Sequence, residues 1–274
     1  MTGQINVVVT CSWRFECLNI LLDILKNNFS KKFKTHVFCN LNTSLLKKHS
    51  DKIDFSLIDE FYHLPDKNCQ KNTVGKAEVR RRQPLDFFIK TIKVVSEDRK
   101  IEKFIYTECD FFPVLENSYF QHLDLVDEKS YCAGKIIKKD LKSKKTPSGY
   151  ICMSPLYFYN DRSKLSSLVD DLIKNRMRYL QQDYAFEGMV CESLKNVNAD
   201  VVPTSNYFIS NYEYSKNLDP LTFTTHQHNP LNLKGLFKKH NIINGEHVTS
   251  MLESKTMTQI YDMTLLESDI SEEQ

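Results

Sequence analysis

Short β-branched runs alternate with helix-period stripes along the N-terminal part of the chain, and this alternation restricts the fold more than any other feature. Ile5 to Thr10 reads as a buried strand that ends at Cys11-Ser12. Phe15, Leu18, Leu21, Leu22 and Leu25 then recur at helical spacing. Thr35 to Leu41 predicts a second strand, Asn42 caps a short helix through Leu45 and Leu46, and Phe55 to Ile58 predicts a third strand. Pro84 fits the first turn of a helix whose stripe is Leu85, Phe88, Ile89, Ile92 and Val95. A strand over Lys103 to Thr107 follows. Elements in this order build a parallel sheet with both faces covered.

The pattern then changes. Tyr131 to Ile137 and Gly149 to Met153 read as strands around a lysine-rich loop, and Leu156 to Tyr159 extends the second of them. Helices are expected at Arg162 to Asn175 and Gln182 to Lys195, with short strands at Val201-Val202 and Thr222 to Thr225. A last helix around Ile260, Met263 and Leu266 leads into an acidic end. The fold class is α/β: a Rossmann-like nucleotide-binding half, then a mixed central sheet flanked by helices. No repeat and no Pro- or Gly-rich linker interrupts the chain, so one domain is expected. Its parts are residues 1–113, an acceptor half at 114–245, and a C-terminal helix and tail at 246–274.

Composition excludes several classes. Hydrophobic residues make up 41% and charged residues 26% of the 274, an ordinary globular balance. The net charge of +2 by itself implies no polyanionic partner. No run approaches the ~20 apolar residues of a membrane span. The first residues lack a basic stretch and cleavage site, so a cytoplasmic location is expected. None of the 8 cysteines forms C-x-x-C, and several sit in apolar runs; buried free thiols are expected rather than zinc ligands or disulfides. Neither G-x-G-x-x-G nor G-x-x-x-x-G-K occurs among the 7 glycines.

Ligands of open α/β sheets bind at the carboxyl ends of strands. The apolar run Phe104-Ile105-Tyr106-Thr107 leads straight into Glu108-Cys109-Asp110. Two carboxylates at spacing two can reach the same side of a strand-end turn, and such hard oxygen ligands suit Mg²⁺ or Mn²⁺ together with a diphosphate. Alone, E-x-D also describes an acidic turn; its place after a series of β/α units favours the metal reading.

The layout and these short motifs resemble the GT-A glycosyltransferase superfamily over most of the chain. The segment FIYTECDFFP resembles that family's strand and D-x-D motif, with Glu108 in place of the first Asp, and INVVVTCSWR resembles its opening strand. The resemblance implies a metal-dependent transfer of a sugar from a nucleoside-diphosphate sugar, a UDP-sugar being the commonest kind, to an acceptor hydroxyl. It implies donor contacts at Thr10, Cys11, Ser12 and Arg14, and metal ligation by Glu108 and Asp110. A basic residue among Arg80, Arg81 and Arg82 would meet the diphosphate or pair with Asp86; a solvated basic face is the plainer reading of each. Asp183, read as opening a helix that also carries Glu187 on the same face, would take the acceptor proton; otherwise it serves the helix dipole. His226 or His228 would be a third metal ligand, and Lys234 a further diphosphate contact. His36, His49, His63, His122, His240 and His247 read as surface histidines, and Trp13 either packs on the sheet edge or stacks on a base.

The six lysines within Lys135 to Lys145 would lie on the acceptor side and suit an anionic acceptor, although such a loop also serves solubility. Two other functions fit part of the pattern. A nucleotidyltransferase forming a nucleotide sugar uses a similar half but wants a glycine-rich turn after the first strand, where this chain has Thr10-Cys11-Ser12-Trp13-Arg14. A non-catalytic nucleotide-binding protein would keep the fold and lack turnover.

Overall fold

The structure, a computed structural model, describes residues 4–12, 15–66, 77–109, 111–113, 119–138, 150–182, 184–204, 207–209 and 220–224. In chain order the elements are β1 (Ile5–Cys11), α1 (Phe15–Asp23), β2 (Phe33–Cys39), α2 (Thr43–His49), β3 (Glu60–His63), α3 (Ala77–Glu97), β4 (Lys103–Glu108), β5 (Phe111–Pro113), β6 (Cys132–Lys138), β7 (Tyr150–Tyr159), α4 (Arg162–Gln181), α5 (Phe186–Asn196), β8 (Val201–Pro203), β9 (Tyr207–Ile209) and β10 (Pro220–Thr224). Seven strands form a mixed sheet in the order β3-β2-β1-β4-β7-β6-β8. β1 and β2 pair in parallel, as do β2 and β3, and β6 and β8; β4 and β6 both run antiparallel to β7. A small second sheet has the order β5-β10-β9. The chain divides into two compact units, Met1–Asn72 with Thr107–Gln121 and Asn206–Gln274, and Thr73–Tyr106 with His122–Ser205.

In the first unit the expected stripe of α1 is the buried one. Phe15, Leu18, Leu21, Leu22 and Leu25 are all at most 1% exposed, and the helix continues through a wider π turn at Ile24–Asn28. Each such aliphatic side chain contributes roughly 1.5–3 kcal/mol on burial. Asn42 caps α2 as expected, its side-chain oxygen accepting from the Leu45 amide at 2.7 Å. Phe55 to Ile58 is not a strand. Phe55–Leu57 forms a single 3-10 turn, started by the Asp54 carboxylate accepting from the Ser56 amide, and β3 begins at Glu60. A local side-chain bond has displaced the extended conformation that Phe and Ile favour.

Several histidines expected on the surface are core residues: His36 is 0%, His49 6% and His122 4% exposed. His36 on β2 is satisfied across the sheet, with Nδ1 3.0 Å from Glu60 on β3 and Nε2 3.0 Å from the Asn6 side-chain oxygen on β1. Polar neighbours on both flanking strands make burial affordable. Glu60 also pairs with Lys34 and accepts from the Tyr62 hydroxyl. Lys26 pairs with Asp59, which also accepts from the Thr35 amide at 2.7 Å.

In the second unit α3 starts at Ala77, so Pro84 lies inside the helix rather than in its first turn, and Arg80, Arg81 and Arg82 belong to the helix rather than to a segment before it. Proline removes the bond to the carbonyl four residues back and crowds that carbonyl, and packing of the apolar stripe sustains the helix past it. Leu85, Phe88, Ile89, Ile92 and Val95 are all buried. Phe88 meets Tyr106 of β4 and Phe186 of α5 edge-on, with ring centroids 5.0 and 5.6 Å apart. Asp86 pairs with Arg176 of α4 at 2.5 Å, both side chains largely covered. At the far end of α3, the Asn160 amide nitrogen donates to the carbonyls of Val95, Asp98 and Ile101 at 3.2, 3.2 and 2.8 Å.

Helix α4 runs six residues beyond the expected Asn175, to Gln181, because Tyr179 and Leu180 are also buried. The following helix starts at Phe186 rather than Gln182. Asp171 ties the two together, accepting from the Tyr179 hydroxyl at 3.0 Å, the Ser193 hydroxyl at 2.7 Å and the Asn175 and Asn196 amides at 2.8 and 3.2 Å. β7 is one continuous strand, with an irregularity opposite Gly134/Lys135. Pro155 falls in that gap, where the ladder needs no donor. The expected C-terminal helix lies outside the described residues. Among the described residues no helix is long and apolar enough to cross a membrane.

Two outcomes follow from these contacts. Asp171→Ala leaves the buried Tyr179 hydroxyl without its acceptor and the Ser193 hydroxyl with only the Leu168 carbonyl, 3.3 Å away, and should lower stability by about 2–3 kcal/mol in urea denaturation. Hydrogen bonds from Lys34 and Tyr62, with His36 nearby, hold the Glu60 carboxyl down at about 2 from an ordinary 4.5. Its stabilising contribution is therefore complete above the ordinary value and is lost as the pH falls towards about 2. Over that window the wild-type urea midpoint should fall more steeply than that of Glu60→Gln.

Candidate functional site

The strand order sets the site. From β1 the chain moves through β2 to β3 on one side and returns to β4 on the other. The carboxyl ends of β1 and β4 therefore flank the switch point where open α/β sheets bind ligands. The two ends are joined directly: the Cys109 amide donates to the Thr10 carbonyl at 3.0 Å, and the Thr10 hydroxyl donates to the Thr107 carbonyl at 3.4 Å. In a parallel ladder this places Glu108 beside Thr10 and Cys109 beside Cys11. Thr10 and Cys11 are buried, whereas Ser12 and Glu108 are half-buried. The backbone holds the half-buried Glu108 at the carboxyl end of β4. Thr107 through Gln121 falls in the same unit as β1, so this edge is built within one unit.

The neighbouring strand ends contribute polar groups that the sequence reading passed over. Past β2 and β3 the ladder continues, with Leu64 donating to Cys39 at 2.8 Å and Asp66 to Asn40 at 2.9 Å through their backbones. His63 Nε2 lies 2.7 Å from the Leu41 carbonyl. Asn40, Asn42 and Asp66 are at most 9% exposed. The Asn42 side-chain nitrogen is buried with no hydrogen-bond partner, although its oxygen caps α2. Three polar side chains are thus buried together at the carboxyl edge of the parallel strands, and of these the Asn42 nitrogen is the atom left unsatisfied. The available signal was positional: Asn40 and Asp66 each lie just past a strand that ends the apolar pattern. Beside Thr107, Tyr119 is fully buried; burial pushes its hydroxyl well up, and Thr107 opposes this in part.

The remaining expected site residues are dispersed or undescribed. Asp86 holds Arg176, a clamp between α3 and α4. Arg80 and Arg82 lie on α3, and nothing is described of their side chains. Glu187 is half-buried in the first turn of α5, where Ala185 supplies no side-chain cap and a carboxylate complements the helix dipole. Because that helix begins at Phe186, it carries Glu187 without the shared helical face expected for Asp183. Asp183 itself, with Arg14, Trp13, Asp110, His226, His228, Lys234 and the lysines from Lys139 to Lys145, lies outside the described residues. Among the described residues, no group of three or more His, Cys, Asp and Glu is placed to hold a metal ion. Glu108 meets the requirement for one hard oxygen donor at the switch point, and the other expected ligands belong to the undescribed set.

No family model matches the sequence, and no curated protein matches it. Solved structures do. The galactosyltransferase LgtC in complex with donor and acceptor sugar analogues is similar at 9% identity and a TM-score of 0.57, with 92% of this chain and 97% of that chain covered. An active-site mutant of LgtC gives 10% identity and a TM-score of 0.52, with the same coverage of 92% and 97%. The apo form of glycosyltransferase GlyE from Streptococcus pneumoniae TIGR4 gives 11% identity and a TM-score of 0.50, with 93% of this chain and 64% of that chain covered. At these identities the likeness is one of architecture, and it agrees with the mixed seven-stranded sheet: the fold of this chain is the GT-A glycosyltransferase fold.

Proposed function

We propose that this protein transfers a sugar from a nucleoside-diphosphate sugar to an acceptor hydroxyl. The observation that carries this reading is the seam between β1 and β4, where the Cys109–Thr10 backbone bond holds Glu108 at the switch point of the sheet. The fold supports it too, since the LgtC structure holds donor and acceptor sugar analogues.

In this reading the donor lies along the carboxyl ends of β1 and β4, with Thr10, Cys11, Ser12 and Arg14 on the nucleoside side. Arg80, Arg82 and Lys234 serve the diphosphate, guanidinium forks suiting its oxygens in particular. Glu108 and Asp110, with His226 or His228, would hold Mn²⁺ or Mg²⁺, and a divalent ion bound there neutralises charge on the departing nucleoside diphosphate. Asp183 takes the proton of the attacking hydroxyl, and Glu187, at the start of α5, orients the acceptor. The Lys135 to Lys145 stretch favours an anionic acceptor through its charge. The protein acts as one GT-A-like domain, whose parts are residues 1–113, 114–245 and 246–274, and works in the cytoplasm.

Thermal-shift measurements with nucleoside diphosphates and nucleotide sugars, with and without Mn²⁺, test the donor site. A ligand at about 100 times its Kd stabilises the folded state by about 2.7 kcal/mol. A metal-dependent rise in Tm with one nucleotide is expected for the wild type, and should be lost in Asp110→Ala and weakened in Glu108→Gln. No rise with any nucleotide, with or without metal, would remove the donor-site reading.

A further inference from the structure

Three thiols occupy one row at the edge just described. Cys11 on β1 and Cys39 on β2 are direct partners in the parallel ladder, and the Cys109 amide bond to Thr10 places Cys109 beside Cys11 on the other flank. None of the three is in a disulfide, and each is at most 5% exposed. They do not converge on a metal position, since no group of three such ligands does so among the described residues. What the row does provide is pairs. Neighbouring strands lie about 4.8 Å apart, inside the Cα separation of about 4.4–6.8 Å that disulfides adopt. The Cys39 sulfur already leans over β1, 3.9 Å from the Ser12 carbonyl.

We propose that Cys11 and Cys39 form a reversible disulfide across the carboxyl ends of β1 and β2, and that closing it blocks the donor edge. The oxidant is hydrogen peroxide or another small two-electron acceptor. Peroxide takes two electrons from the thiol pair: Cys11 becomes a sulfenic acid with release of one water, and the Cys39 thiolate displaces the second as the S–S bond forms. Disulfide Cβ atoms stand about 3.5–4.5 Å apart, closer than the ladder spacing, so the strand ends must draw together. That shift moves Ser12 and Asn40, which directly follow the two cysteines. Strain in such a bond makes it easily reduced, which suits a reversible device rather than a permanent staple. Burial slows the reaction, so oxidation proceeds through opening of the strand ends to a small oxidant. The blocking effect, though not the bridge, rests on the donor-site reading.

The test treats the reduced full-length protein with peroxide, maps cross-links by non-reducing peptide mass spectrometry, and measures the nucleotide-induced Tm rise before and after. The expected result is a linked Cys11–Cys39 peptide in the wild type and in Cys109→Ala, absent from Cys39→Ala. The Tm rise should vanish on oxidation, return with dithiothreitol, and persist in oxidised Cys39→Ala. An unlinked pair, a Cys11–Cys109 link in its place, or a bridge that leaves the Tm rise intact overturns the proposal. A linked peptide in a protein whose reduced form shows no nucleotide response would instead overturn the donor-site reading and, with it, the blocking role.

Discussion

One backbone hydrogen bond organises the candidate site: the amide of Cys109 to the carbonyl of Thr10. β1 has β2 on one side through a continuous parallel register, and the return of the chain at β4 closes its other side. Without that closure the apolar β1, buried from Val7 onward, would present an open edge, and Glu108 would have no fixed relation to Thr10.

Two of the polar clusters satisfy their buried groups by different means. Around β2 and β3 in the first unit the currency is charge, with Lys26, Lys34 and His36 set against Asp59 and Glu60. Between α4 and α5 it is neutral donors: Asp171 receives hydroxyl and amide hydrogens. A carboxylate held by several neutral donors forgoes the long, entropy-rich side chains of an ion pair, and its contacts depend little on salt.

The sequence carried much of this architecture because periodicity reports burial. The stripes of α1 and α3 and the runs of β1, β2 and β4 were legible, since each buries the residues its period selects. What escaped was decided by contacts distant in sequence. His36 is a core residue because Asn6 and Glu60 lie on the strands beside it, and neither is near it in the chain. Phe55 turns rather than extends because Asp54 bonds back onto Ser56, a choice that β propensity does not register. Within the site, the E-x-D position could be read from its place after a strand, but the Asp86 clamp to Arg176 spans ninety residues of sequence and leaves no local trace. Asn40 and Asp66 come together because the β2–β3 ladder extends past both strands, a pairing between residues far apart in sequence.

Asn160 shows how shape and chemical sign can be separated at one position. Its amide nitrogen faces three carbonyls around the end of α3, while its oxygen is buried without a partner. All the recognition therefore lies in the hydrogens. An aspartate of the same outline would set a carboxylate oxygen against three carbonyl oxygens and the negative end of a helix dipole, turning each attraction into repulsion without moving an atom. Slow deamidation of this one side chain would thus convert the joint between α3, β4 and α4 from a clasp into a wedge.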